Sequence, residues 1–149
     1  MTRPLTEKVV ERAVRDWFFK EAKDWRPKPH DLREHGPDID AYHRVNRKRW
    51  RIEVKGDPSG KAKKPDVARY GYFQRAIAQL MMRMDRDTQS GLYGLAFPVS
   101  YGPFLRKIPR SAWKLLRLHV FLVDENENVG HYTTQDVWRK DWKFSDTER

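Results

Sequence analysis

The chain has 149 residues, no cysteine, and 31 Lys plus Arg against 21 Asp plus Glu, a formal net charge of +10. That length suits one domain with a core of its own, and the lack of cysteine excludes disulfides and thiolate zinc. The charge favours a polyanionic partner, and no apolar run is long enough to span a membrane.

The elements follow in chain order. Thr6 is placed to cap a first helix running to about residue 25, with Val9, Val10, Ala13, Val14, Trp17 and Phe18 at helical spacing. Pro27 and Pro29 stop it, and residues 26–36 read as a polar loop. A strand is expected over 38–44, a basic connection over 46–49, and a strand over 50–55. Residues 56–65 form a basic loop. Asp66 is placed to cap a second helix over 67–87, whose stripe is Tyr70, Phe73, Ile77, Leu80, Met81 and Met84.

Residues 92–97 are a continuous apolar run, the mark of a buried strand, closed by Pro98. A broken helical pattern covers 104–117, with Pro109 near a helix start. A strand at 118–123, a turn at 124–128 and an edge strand at 129–132 follow. The end, 133–149, reads as an extension with a short helix at 137–142. The order predicts α/β, a mixed central sheet flanked by helices. One domain, 1–149, is expected, with its core at about 6–132. The first residues lack the apolar centre of a signal peptide, so a cytoplasmic location is the default.

Two short segments carry the chemistry. Gly36-Pro37-Asp38-Ile39-Asp40 puts an acid at the head of one strand, and Ile52-Glu53-Val54-Lys55-Gly56 puts an acid and a lysine on the next. Residues two apart in a strand face the same way, about 6.6 Å along the chain. Glu53 and Lys55 therefore share a face, and Ile52 and Val54 take the other. Acids on neighbouring strands make an oxygen-rich site suited to Mg2+.

These residues resemble the PD-(D/E)xK nuclease superfamily, the restriction-endonuclease-like fold. Pro37-Asp38 stands where the family has PD, and Glu53-Val54-Lys55 where it has (D/E)xK. The likeness extends over 6–124, and its specific part is 37–56. It implies a three-layer fold with a central mixed sheet between helices. It also implies Mg2+, with Mn2+ as a substitute, held by Asp38, Glu53 and the backbone carbonyl of Val54. Lys55 would orient or deprotonate the attacking water, or hold the scissile phosphate. Many members add a glutamate from the first helix, which points to Glu7 with Glu11 as the alternative. Some place a glutamine after the ExK strand. Gln74 borders the apolar stripe and Gln79 falls nearly opposite, so Gln74 is preferred.

Each residue also has an ordinary reading. An Asp after Gly-Pro is a common turn residue, an acid at a helix start answers the dipole, and Lys55 would pair with Glu53 on any surface. Asp40 shares the face of Asp38 and is a second choice. Arg44, Arg47, Lys48 and Arg49, with Lys61, Lys63 and Lys64, flank the motif and are expected to neutralise nucleic-acid phosphates. The five histidines show no metal-ligand spacing.

The expectation is thus a Mg2+-dependent DNA endonuclease acting in restriction, defence, repair or recombination and leaving a 5′-phosphate and a 3′-hydroxyl. A Holliday-junction or other structure-specific resolvase is the near alternative. A catalytically silent nucleic-acid-binding module, or a structural protein, stands for other classes. A homodimer and an accessory protein are both compatible with it.

Overall fold

The computed structural model describes residues 4–28, 38–46, 48–84 and 91–139. Pro37, Arg47, His30, His35 and the tail from 140 on lie outside the described residues. Helix α1 spans Glu7–Glu21, and the Thr6 hydroxyl accepts the Val9 N–H at its start. It ends earlier than its apolar pattern suggests. Trp25–Pro27 leaves the helix to form β1, antiparallel to β2 (Ile39–His43). Pro27 is tolerated because β1 is the sheet edge, where a missing N–H breaks no ladder.

Strand β2 pairs antiparallel with β3 (Arg49–Val54). Helix α2 (Pro65–Met82) crosses to β4 (Gly91–Pro98), parallel to β3. Lys64, not Asp66, is the N-cap of α2, and Pro65 fills the first helical position, where its missing N–H costs nothing. The helix stops at Met82, short of 87. A 3-10 segment, Val99–Lys107, and helix α3 (Arg110–Leu116) lead to β5 (Leu118–Val123), parallel to β4. Strand β6 (Val129–Thr133) returns antiparallel, and α4 is Thr134–Val137 rather than 137–142. Val137 is fully buried, so the packed core runs past residue 132.

The six strands lie in the order β1-β2-β3-β4-β5-β6. Alternation along them divides the core in two. Trp50, Ile52, Val54, Ala96 and Phe121 pack with Val10, Val14 and Phe18 of α1. Tyr93, Leu95, Phe97, Val120 and Leu122 pack with Phe73, Ala76 and Leu80 of α2 and with Trp113. The chain is therefore α/β with a mixed sheet. Burying Val10, Val14 and Phe18 contributes about 1.5–3 kcal/mol each. Of the stripe expected on α2, Phe73 and Leu80 are buried and Ile77 and Met84 pack against the same core, while Tyr70 and Met81 are exposed, with Val67 and Met82. Apolar residues also lie on the outer face, so the expected stripe took in two that stay exposed.

No helix among the described residues is long and apolar enough to cross a membrane.

Candidate active site

Strand β3 is covered on both faces. Its α1 side is apolar, while its α2 side carries Arg49, Arg51 and Glu53, with Lys55 just beyond. Glu53 is 2% exposed. The β2–β3 register, Ile39 opposite Ile52, sets Asp38 opposite Glu53. Asp38 turns one carboxylate oxygen to the Val54 N–H at 2.8 Å. Burial, the charge of Asp38 and a hydrogen bond to Asp38 push the Glu53 carboxyl up to about 7, against the pull of Arg83. Glu53 thus holds its proton well above the ordinary carboxylate range, as a buried carboxyl beside a second acid does.

Glu7 reaches the same place from the start of α1. Its carboxyl is raised by partial burial and by Asp38, and Lys55 pulls it the other way. Glu11 instead holds Arg15 at 3.2 Å, so Glu7 is the acid of α1 that faces the pair. Arg15 also donates to the carbonyls of Asp38, at 3.0 Å, and Lys28, at 2.6 Å, fixing the head of β2. Lys55 is half-buried, its N–H given to the Ala96 carbonyl at 3.0 Å.

What brings α1 to the strand end is Gly56. A Cβ there would lie 2.3 Å from the Glu7 nitrogen. Asp57 locks the joint. It accepts the Leu5 N–H (2.9 Å) and the Ser100 hydroxyl (2.6 Å), and pairs with Arg69 at 3.4 Å. The Tyr101 hydroxyl donates to the Gly56 carbonyl at 2.6 Å. Sequence reasoning saw Asp57 only as a loop residue, since its partners lie far along the chain.

Other expected residues sit elsewhere. Asp40 is gripped through both oxygens by Arg49, and each is the other's partner. Gln74 is exposed and Gln79 half-buried, the reverse of the expectation. Helix α2 must run back against β3, and the Arg83 carbonyl meets Arg51 Nη1 at 3.3 Å. Gln79 stands one helical turn before Arg83, on the same side of α2. Its Oε1 is buried, with no partner among the described residues. The spacing from Gln79 to Arg83 was the available signal, masked by the two-sided apolar pattern.

Arg44 and Lys48 are exposed at the turn between β2 and β3, a strand length from Glu53. Lys61, Lys63 and Lys64 are exposed on the loop after Lys55. His119 and His131 bring ring nitrogens within 2.9 Å on neighbouring strands, against Trp50 and Phe121. Burial and His131 lower His119 to about 4, and burial lowers His131.

This fold is similar to that of an XisH family protein. The likeness is to a crystal structure of that protein from Nostoc punctiforme PCC 73102, with a TM-score of 0.51 and 15% identity, covering 84% of this chain and 98% of that one. Neither a family model nor a curated protein matches the chain.

The donor set suits a hard divalent cation. Carboxylate and carbonyl oxygens favour Mg2+ or Mn2+. Among the described residues no three Asp, Glu or His side chains form a ready metal cage, but Mg2+ keeps several waters and needs only one or two carboxylates. A cation would take the place of the proton that Glu53 holds beside Asp38.

Proposed function

We propose that this chain is a Mg2+-dependent endodeoxyribonuclease with a PD-(D/E)xK site in a restriction-endonuclease-like frame. The observation that carries this reading is the placing of Asp38 opposite Glu53, whose carboxyl is pushed up to about 7, at the strand end where Lys55 and Glu7 converge. A binding module has no use for a buried acid set against a second one.

Asp38, Glu53, Glu7 and the Val54 carbonyl would hold the ion. Bound there, Mg2+ would acidify a water and neutralise charge on the phosphate. Asp38 is kept in place by the Val54 N–H and by Arg15 on its own carbonyl. Lys55 orients the attacking water or holds the phosphate. Lys61, Lys63 and Lys64 neutralise backbone phosphates beside the site, and Arg44 and Lys48 do so further along a duplex.

The test is cleavage of supercoiled plasmid and of a four-way junction with Mg2+, Mn2+ or EDTA. Glu53→Ala and Lys55→Ala should each lower the metal-dependent rate by at least about 100-fold. Preference for the junction would make the chain a resolvase. Metal-independent cleavage, or variants as active as the parent, would refute the assignment.

A further inference from the structure

The arginines around the acid pair differ in what they have left to give. Arg15 spends its nitrogens on Glu11, the Lys28 carbonyl and the Asp38 carbonyl. Arg49 forks Asp40, and Arg69 bridges Asp57 and Asp66. Arg51 reaches the Arg83 carbonyl and the Tyr93 hydroxyl. Arg83 alone of these, among the described residues, makes a single side-chain contact: Nε lies 3.3 Å from Glu53 Oε1.

That contact is made through Nε alone. A guanidinium serving only as counter-ion to a buried carboxylate gains most by turning its fork to both oxygens. Here both terminal nitrogens stay unspent. The Arg83 side chain is 33% exposed and that of Glu53 is 3% exposed, so Arg83 stands between the acid pair and solvent. Its backbone cannot drift, because its N–H closes the helix on Leu80 and Met81 and its carbonyl takes Arg51. A phosphate on the free fork would be separated from Glu53 by two hydrogen bonds and the width of one guanidinium.

We propose that Arg83 is a substrate-binding residue whose terminal nitrogens hold the non-bridging oxygens of the phosphodiester presented to Asp38 and Glu53. This rests on the nuclease reading and assigns it a phosphate contact from α2. Planar, permanently charged guanidinium suits that task, and an ammonium would grip less well. Because Nε remains on Glu53, the same side chain ties the substrate's position to that of the acid.

The test is metal-free binding of a fluorescein-labelled 20-base-pair duplex, by anisotropy over a salt series, for the parent, Arg83→Gln, Arg83→Lys and Glu53→Gln. Arg83→Gln should weaken binding about tenfold and reduce the salt slope by about one. Arg83→Lys should fall between, and Glu53→Gln should bind at least as well as the parent. Thermal melting checks that each variant folds, and Arg83→Lys carries the test if Arg83→Gln does not. Unchanged affinity and slope in Arg83→Gln would overturn the proposal. So would an equal loss in Glu53→Gln, which would make Arg83 a support for Glu53 alone. Plasmid cleavage by the parent, with Arg83→Gln binding unchanged, sinks this proposal and spares the nuclease. A parent that binds but never cleaves sinks the nuclease and leaves the salt slope to judge Arg83.

Discussion

Glu53 keeps its proton to about pH 7, while an unfolded glutamate releases it near 4.5. Between those values the folded protein binds a proton that the unfolded chain has lost, so Glu53 makes stability fall as pH rises through that window. His119 works the other way. Its folded value of about 4 lies below the ordinary 6.5, so it costs stability as pH falls from 6.5 towards 4. The two opposing trends should leave the parent's melting temperature nearly level between pH 4.5 and 6.5. Glu53→Gln removes one and should expose the other. We expect that variant to lose stability on acidification below 6.5, and to gain about 3 kcal/mol over the parent at pH 8. Melting curves across pH for both proteins decide it; identical profiles would show that Glu53 is not the buried acid described. The reach of the sequence was uneven here too. Asp38, Glu53 and Lys55 are visible as an acid, acid and lysine on adjoining strands. Gln79 and Arg83 are not, since nothing local tells which side of an apolar helix meets β3.

At the level of elements, the joint between β3 and α1 decides the geometry. Glu7 faces Asp38 only because α1 begins against Gly56, with backbone on backbone. Gly56→Ala would force that contact apart, since neither the Glu7 nitrogen nor the Leu5 carbonyl can move alone. We expect a loss of about 2–3 kcal/mol in urea unfolding. Asp57→Ala strands the Leu5 N–H, the Ser100 hydroxyl and Arg69, and should cost about 3 kcal/mol. A variant at either position that unfolds like the parent would contradict the joint. The glycine after the lysine was legible as part of the motif. Its purpose was not, because its neighbour lies about fifty residues earlier in the chain. β1 was missed for a related reason: Trp25–Pro27 is too short to show alternation, and only pairing with β2 makes it a strand.

Across the whole molecule, two groups of exposed basic residues flank β3, one at each of its ends. Arg44 and Lys48 sit at the hairpin turn before β3, and Lys61, Lys63 and Lys64 follow Lys55. Six strand residues separate the groups, about 20 Å. A rigid duplex could touch both, with the acids near one of them. Replacing Lys61, Lys63 and Lys64 together by alanine should reduce the slope of log affinity against log salt by about two to three. Anisotropy between 50 and 200 mM salt, about the range where phosphate contacts dominate, measures it. An unchanged slope would place the nucleic acid elsewhere. In that case the Arg44–Lys48 turn becomes the next surface to neutralise.

The amino-acid sequence by itself determined the α/β class, the strands that carry the acids, and which residues share a face with Glu53. These follow from periods of two and from turn residues, which act over a few positions. Only the tertiary structure decided that Glu7 rather than Glu11 faces the acid pair, that Asp40 is spent on Arg49, and that Arg83 stands over Glu53. Each of those depends on how α1 and α2 are set against β3. That setting comes from the close approach at Gly56 and from the return of the chain through α2, neither of which a local pattern contains.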